Sequence, residues 1–133
     1  MKHVLRITAA QWQEMLVYVR RHAPQEACGL LAGKGDQAEK VIFVRNQAQS
    51  PTRFVMDPSE QLNAFNWIER NGLELLGIFH SHPAGPETVS LTDNAEAAYD
   101  VVYVIWSPVQ GHWQARGFWI ESGQANEVSL QIT

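Results

Sequence analysis

Apolar and polar positions along the chain spell a helix, two strands, a second helix and then a strand-rich second half. Trp12, Met15, Leu16 and Val19 recur at the i, i+3, i+4, i+7 spacing of one helix face. Thr8, with Gln11 three residues on, supplies a capping box at the start of that helix, and its end falls near His22 and Pro24. Residues 27–32 form an almost unbroken apolar run, as expected of a strand covered on both faces. Gly33-Lys34-Gly35-Asp36 then turns the chain into a second strand over 40–44. Asp57 as cap, Pro58 in the first turn and Glu60 at the third position open a second helix, with Leu62, Phe65 and Ile68 inward and Gly72 as its stop.

A strand over 75–80 follows, then a loop over 83–89 and a short helix over about 91–99. The run 101–106 reads as a buried strand and 113–120 as another, entered through a turn at Gly111-His112. A last, half-exposed strand over 127–132 alternates Val128, Leu130 and Ile132. No repeat, linker or low-complexity tract interrupts the pattern, so residues 1–133 read as a single α/β domain, a mixed β-sheet flanked by helices. Four of the five tryptophans fall on these patterns and read as core.

The strand over 75–80 ends in His80-Ser81-His82-Pro83. Side chains at i and i+2 of a strand share a face, so the two histidines can grip one ion together. The carboxylate of Asp93 arrives from a different element. Two neutral imidazoles and one carboxylate suit Zn²⁺, one per chain, with the fourth tetrahedral position left to water, and an open position implies hydrolysis. Ser90, three residues before Asp93, also reads as a helix cap; the two readings are compatible, because a cap would hold Asp93 in the first turn.

Further upstream stands Glu26, in Pro24-Gln25-Glu26-Ala27-Cys28-Gly29-Leu30-Leu31-Ala32-Gly33. An upstream glutamate, His-x-His-Pro, Ser90 after the span 83–89, and Asp93 after two more residues resemble the signature of the JAMM (MPN+) zinc metalloproteases. The stretch from Asn46 through Ser50-Pro51 and Phe54 to Met56-Asp57-Pro58 and Glu60 is similar to the small prokaryotic members. The resemblance runs from about Thr8 to the last strand. One departure is Val89, where many members carry proline before the serine. The resemblance implies a cytidine-deaminase-like JAMM/MPN fold, with Glu26 as general acid and base and Ser90 as donor to a tetrahedral oxyanion. It also implies an isopeptidase or peptidase acting on the amide after the Gly-Gly carboxyl terminus of a small ubiquitin-like or sulfur-carrier protein. Two alternatives stay open: a non-catalytic MPN-type interaction module, although such modules generally lose ligands, and a RadC-like DNA-associated protein.

Charge narrows these. The formal net charge is −4, and the ten Lys and Arg are scattered without a basic stripe, so the footprint of a nucleic-acid binder is missing. A lone cysteine, Cys28, excludes a zinc site built on several thiolates; placed in an apolar run, it reads as a buried, inert thiol. No apolar run approaches the ~18 residues of a membrane span and the first residues lack a long apolar stretch, which makes the cytoplasm the expected location. His3, His22 and His112 lack a patterned acid partner, and His22 reads as complementing a helix C-terminus. Ser81 and Glu87 fill no slot in the chemistry and read as loop or supporting residues. A homodimer is left open.

Overall fold

The computed structural model describes residues 1–90, 93 and 97–133. Among these, β1 (Val4–Ile7) leads into α1 (Ala9–His22), β2 (Cys28–Lys34), β3 (Gln37–Val44) and α2 (Pro58–Arg70). The chain continues through β4 (Glu74–Ser81), β5 (Val102–Val109), β6 (His112–Glu121) and β7 (Gln124–Ile132). The strands form one mixed sheet in the order β1-β3-β2-β4-β5-β6-β7, closed into a barrel by the parallel pairing of β1 with β7.

Both helices start as their residue chemistry requires. Thr8 Oγ1 accepts from the Gln11 N–H at 3.1 Å while Gln11 Oε1 accepts from the Thr8 N–H at 3.0 Å, completing the capping box. Asp57 accepts from the Ser59 and Glu60 N–H groups ahead of Pro58 in α2. The strands alternate between two cores. Ala27, Leu31 and Phe79 join Met15 and Val19 of α1, whereas Cys28, Leu30, Ala32 and Ile78 join Ala64 and Ile68 of α2, so the helices cover opposite faces of β2 and β4. Each fully buried side chain of this size contributes roughly 1.5–3 kcal/mol. Close packing at the centre requires Gly29, since a Cβ there would lie 2.4 Å from the Phe79 ring.

Two expectations change and one strand is added. Leu62 is 60% exposed and the inward face of α2 is Ala64 and Ile68; at ~100° per residue, position 62 sits roughly 200° from position 64. The turn after β2 shrinks to Gly35-Asp36, with Gly35 at φ +62°, because Gly33 and Lys34 pair with Ala38 and Gln37. β1 is a strand of four residues whose pairing is with β3 and, across the whole chain, with β7, so no local pattern announces it. The helix expected over 91–99 lies largely outside the described residues. All five tryptophans lie in helices or strands, Trp12 and Trp106 with ring centroids 4.7 Å apart.

Candidate active site

β4 is central, antiparallel to β2 and parallel to β5, and its C-terminal end carries His80 and Ser81 with His82 just beyond. Ile78 belongs to the α2-side core, and strand alternation sends His80 to the same face. There the Phe54 ring stacks on the imidazole of His80, centroids 4.5 Å apart. His80 is fully buried and His82 is 5% exposed.

Three donor atoms converge. His80 Nε2 and His82 Nε2 are 3.1 Å apart, and Asp93 Oδ2 stands 3.1 Å from the first and 3.0 Å from the second. Ligands on a tetrahedral zinc with ~2.0–2.1 Å bonds stand roughly 3.3–3.4 Å apart, within a few tenths of this spacing. His82 Nδ1 lies 2.9 Å from the Pro86 carbonyl, which can only accept, so Nδ1 carries a proton and Nε2, bare when the ring is neutral, is the nitrogen turned toward the Asp93 carboxylate. Either a proton or a metal ion can supply the positive charge these atoms converge on. A proton serves one edge of the triangle; a metal ion at its centre serves all three, and the donor set therefore fits a divalent ion.

The electrostatics agree. Burial would raise the Asp93 carboxyl, but hydrogen bonding to His80 and His82 and to the Ser90 N–H holds it well below the usual carboxylate range. Burial lowers His80; for His82 burial acts the same way and is outweighed by Asp93, the Pro86 carbonyl and Glu26, so it rises. Glu26 is 3% exposed, its Oε1 is without a hydrogen-bond partner among the described residues, and one of its carboxylate oxygens lies within 4.8 Å of the histidine ligand atoms. Burial first, then the Asp93 charge, push Glu26 up to about 7 against the opposing effect of His82. A solvated glutamate at the mouth of a strand is thereby excluded. Ser90 Oγ accepts from the Asp93 N–H and Asp93 Oδ2 accepts from the Ser90 N–H, both at 2.9 Å, so the serine caps and orients the aspartate.

A family model described as prokaryotic homologs of the JAB domain matches residues 8–120. The chain belongs to this prokaryotic JAB family. It is 39% identical over 130 residues to a Thermus thermophilus protein named "Probable TtuB-protein conjugate cleaving protease", covering 97% of this chain and 83% of that one. It is 34% identical over 134 residues to the CysO-cysteine peptidase of Mycobacterium tuberculosis, covering 98% of this chain and 92% of the relative. A solution structure of a protein from Desulfitobacterium hafniense superposes with a TM-score of 0.86 at 37% identity, covering 97% of this chain and 92% of that one.

Within this JAB domain the structure also brings in residues that motif spacing does not single out. Asn46 Nδ2 donates at 3.0 Å to the Glu26 carbonyl and at 3.0 Å to the Arg53 carbonyl, while its Oδ1 accepts from the Ala48 and Val55 N–H groups. One carboxamide thus ties Glu26 to the loop that lays Phe54 over His80. Ser81 is not a loop residue but the last of β4, fully buried, and its Oγ accepts from the Ala27 N–H at 2.8 Å. Strand alternation carries the signal for Ser81 alone, since it aims residue 81 to the face opposite the histidines. A cleft of about 200 Å³ opens beside His80 and Asp93, walled by Phe54, Val55, Met56, Ile78 and Tyr103. Cys28 lies in the α2-side core with Sγ 3.3 Å from the Val44 carbonyl, and burial first, with Glu26 and Glu60, pushes its thiol up to about 12, which leaves it inert. His22 Nδ1 lies 2.9 Å from the Tyr18 carbonyl in the last turn of α1, as its position suggested. No helix among the described residues is long and apolar enough to cross a membrane.

Proposed function

We propose that the protein is a zinc-dependent hydrolase that cleaves the amide bond following the carboxyl-terminal Gly-Gly of a small ubiquitin-like or sulfur-carrier protein. The observation that supports this most is the triangle of His80 Nε2, His82 Nε2 and Asp93 Oδ2, with edges of 3.0–3.1 Å, facing the buried carboxyl of Glu26. His80, His82 and Asp93 would hold the ion, which when bound supplies Lewis acidity and acidifies the attacking water.

The remaining work falls to side chains. Glu26, buried beside the ligand atoms with an unpartnered carboxylate oxygen among the described residues, takes a proton from the attacking water and returns it to the departing amine. Ser90 Oγ uses a lone pair on the Asp93 N–H, which leaves its O–H to donate to the substrate carbonyl oxygen as negative charge develops there. The apolar wall of Phe54, Val55, Met56 and Ile78 keeps bulk water from one side of the reacting amide. With His80 and His82 buried at the end of a strand, a substrate tail in extended form suits the approach, and glycines let its backbone pass close to the donors. Relatives named for cleaving TtuB conjugates and CysO-cysteine support a carrier-protein substrate of this class.

Intact-mass spectrometry of a carrier fusion tests this. A ubiquitin-like domain ending in Gly-Gly and amide-linked to a reporter should yield a single cut after the second glycine, stopped by a zinc chelator. A Val at the penultimate position should slow it far more than any change beyond the scissile bond. Equal cleavage of the valine and glycine fusions would remove the carrier assignment.

A further inference from the structure

Ser81 stands between the two histidines in sequence and its hydroxyl takes no part in the chemistry above, yet the residue is fully buried. β2 and β4 pair antiparallel as far as Cys28↔His80. One step further, Ala27 comes opposite Ser81 and half of the pair is present, the Ser81 N–H donating to the Ala27 carbonyl at 3.0 Å. The other half is replaced. The Ala27 N–H donates at 2.8 Å to Ser81 Oγ in place of a backbone carbonyl. A side chain therefore closes the ladder where the two strands part, and Glu26 is the next residue out.

Glu26 itself is held from its far side, among the described residues, by the irregular segment, its N–H donating to the Ser50 carbonyl at 2.8 Å and its carbonyl accepting from Asn46 at 3.0 Å. The Ser81 hydroxyl is the outermost bond, beyond the backbone ladder, between that residue's strand and the one bearing the histidines. We infer that Ser81 is a positioning residue: by holding the Ala27 N–H, its hydroxyl sets where the Glu26 carboxylate stands relative to His80 and His82. The inference rests on the proposed role of Glu26 as proton carrier. A purely structural hydroxyl would instead contribute ~1 kcal/mol to stability and nothing to the rate.

A double-mutant cycle separates the two. kcat and KM are measured on the Gly-Gly carrier fusion for wild type, Ser81→Ala, Glu26→Gln and the double variant, with zinc content determined on the same samples. Misplacement of a catalytic group by about 1 Å costs up to ~10² in rate, so Ser81→Ala should lose ~10- to 100-fold in kcat with KM and zinc unchanged. The loss should vanish in the Glu26→Gln background, because a residue acting through Glu26 has nothing left to position. Ser81→Thr, which keeps the acceptor, should recover most of the rate. An equal loss in both backgrounds, an unchanged kcat, or loss of zinc would overturn the inference. Should Ser81→Ala fail to fold, Ser81→Cys, near in size but a weak acceptor, takes its place in the cycle. A harmless Glu26→Gln, or a fusion that wild type leaves intact, sinks the proposed function instead. In that event the crystal structure of the Ser81 variant decides the positioning alone: a displaced Glu26 carboxylate upholds it and an unmoved one overturns it.

Discussion

A carboxylate at the entry to a strand is ordinarily solvated, whereas Glu26 is 3% exposed and faces two imidazoles and a second carboxylate. Glu26→Gln is nearly isosteric and removes only the ability to carry a proton, so fold and metal content should persist while turnover falls ~10²-fold or more. Unchanged turnover at equal zinc content would remove Glu26 from the mechanism. Ser90 has two roles to separate. As the cap seen in its bonds to Asp93, Ser90→Ala should cost ~1 kcal/mol in a denaturant melt. As a donor to the oxyanion it should also lose ~10²–10³ in single-turnover rate with zinc retained, and a normal rate per folded molecule would leave it a cap alone.

The segment between β3 and α2 works as one element although it is irregular. Asn46 makes four hydrogen bonds within it, reaching Glu26, Ala48, Arg53 and Val55. Asn46→Ala takes this partner from one buried backbone group, the Glu26 carbonyl, and from three partly buried ones, so a loss of about 1–3 kcal/mol is expected, read as a lower denaturant midpoint with unchanged slope. A midpoint equal to wild type would mean that the loop is held by other contacts. Much of this level was legible from residues alone. Capping at Thr8 and Asp57 and the alternation that aligns His80 with His82 are local rules, and both hold. Leu62 was misassigned because a spacing of three admits either flank of a helix, and only the partner surface on β2 and β4 decides which flank is covered. Ser81 reads from the sequence as a loop or supporting residue, and its bond to Ala27 is not legible there because the two stand 54 positions apart.

At the scale of the whole molecule, closing the sheet through β1 and β7 uses the two ends of the chain, a pairing that no local pattern encodes. Within that sheet β2 and β4 pair directly side by side, which brings Glu26 to the histidines. The barrel then carries the cost of burying a carboxyl. In the metal-free protein Glu26 is raised from 4.5 to about 7, so the folded state binds the extra proton between those values. Its contribution to stability is present below about 4.5 and is lost as pH rises through about 7, to the extent of roughly 1–3 kcal/mol. Metal-free Glu26→Gln should therefore gain on metal-free wild type as pH goes from 5 to 8 in paired denaturant melts. A constant difference across that range would mean that the buried carboxyl does not titrate there.

The central claim is that His80, His82 and Asp93 form one metal site, because three donor atoms 3.0–3.1 Å apart need a positive centre among them. Elemental analysis of the purified, buffer-exchanged protein measures this directly. One zinc per chain is expected in wild type, and only a small fraction of that in the His80→Ala, His82→Ala double variant, since the lone remaining ligand rarely holds the ion. Full zinc occupancy in the double variant would place the metal elsewhere and contradict the site.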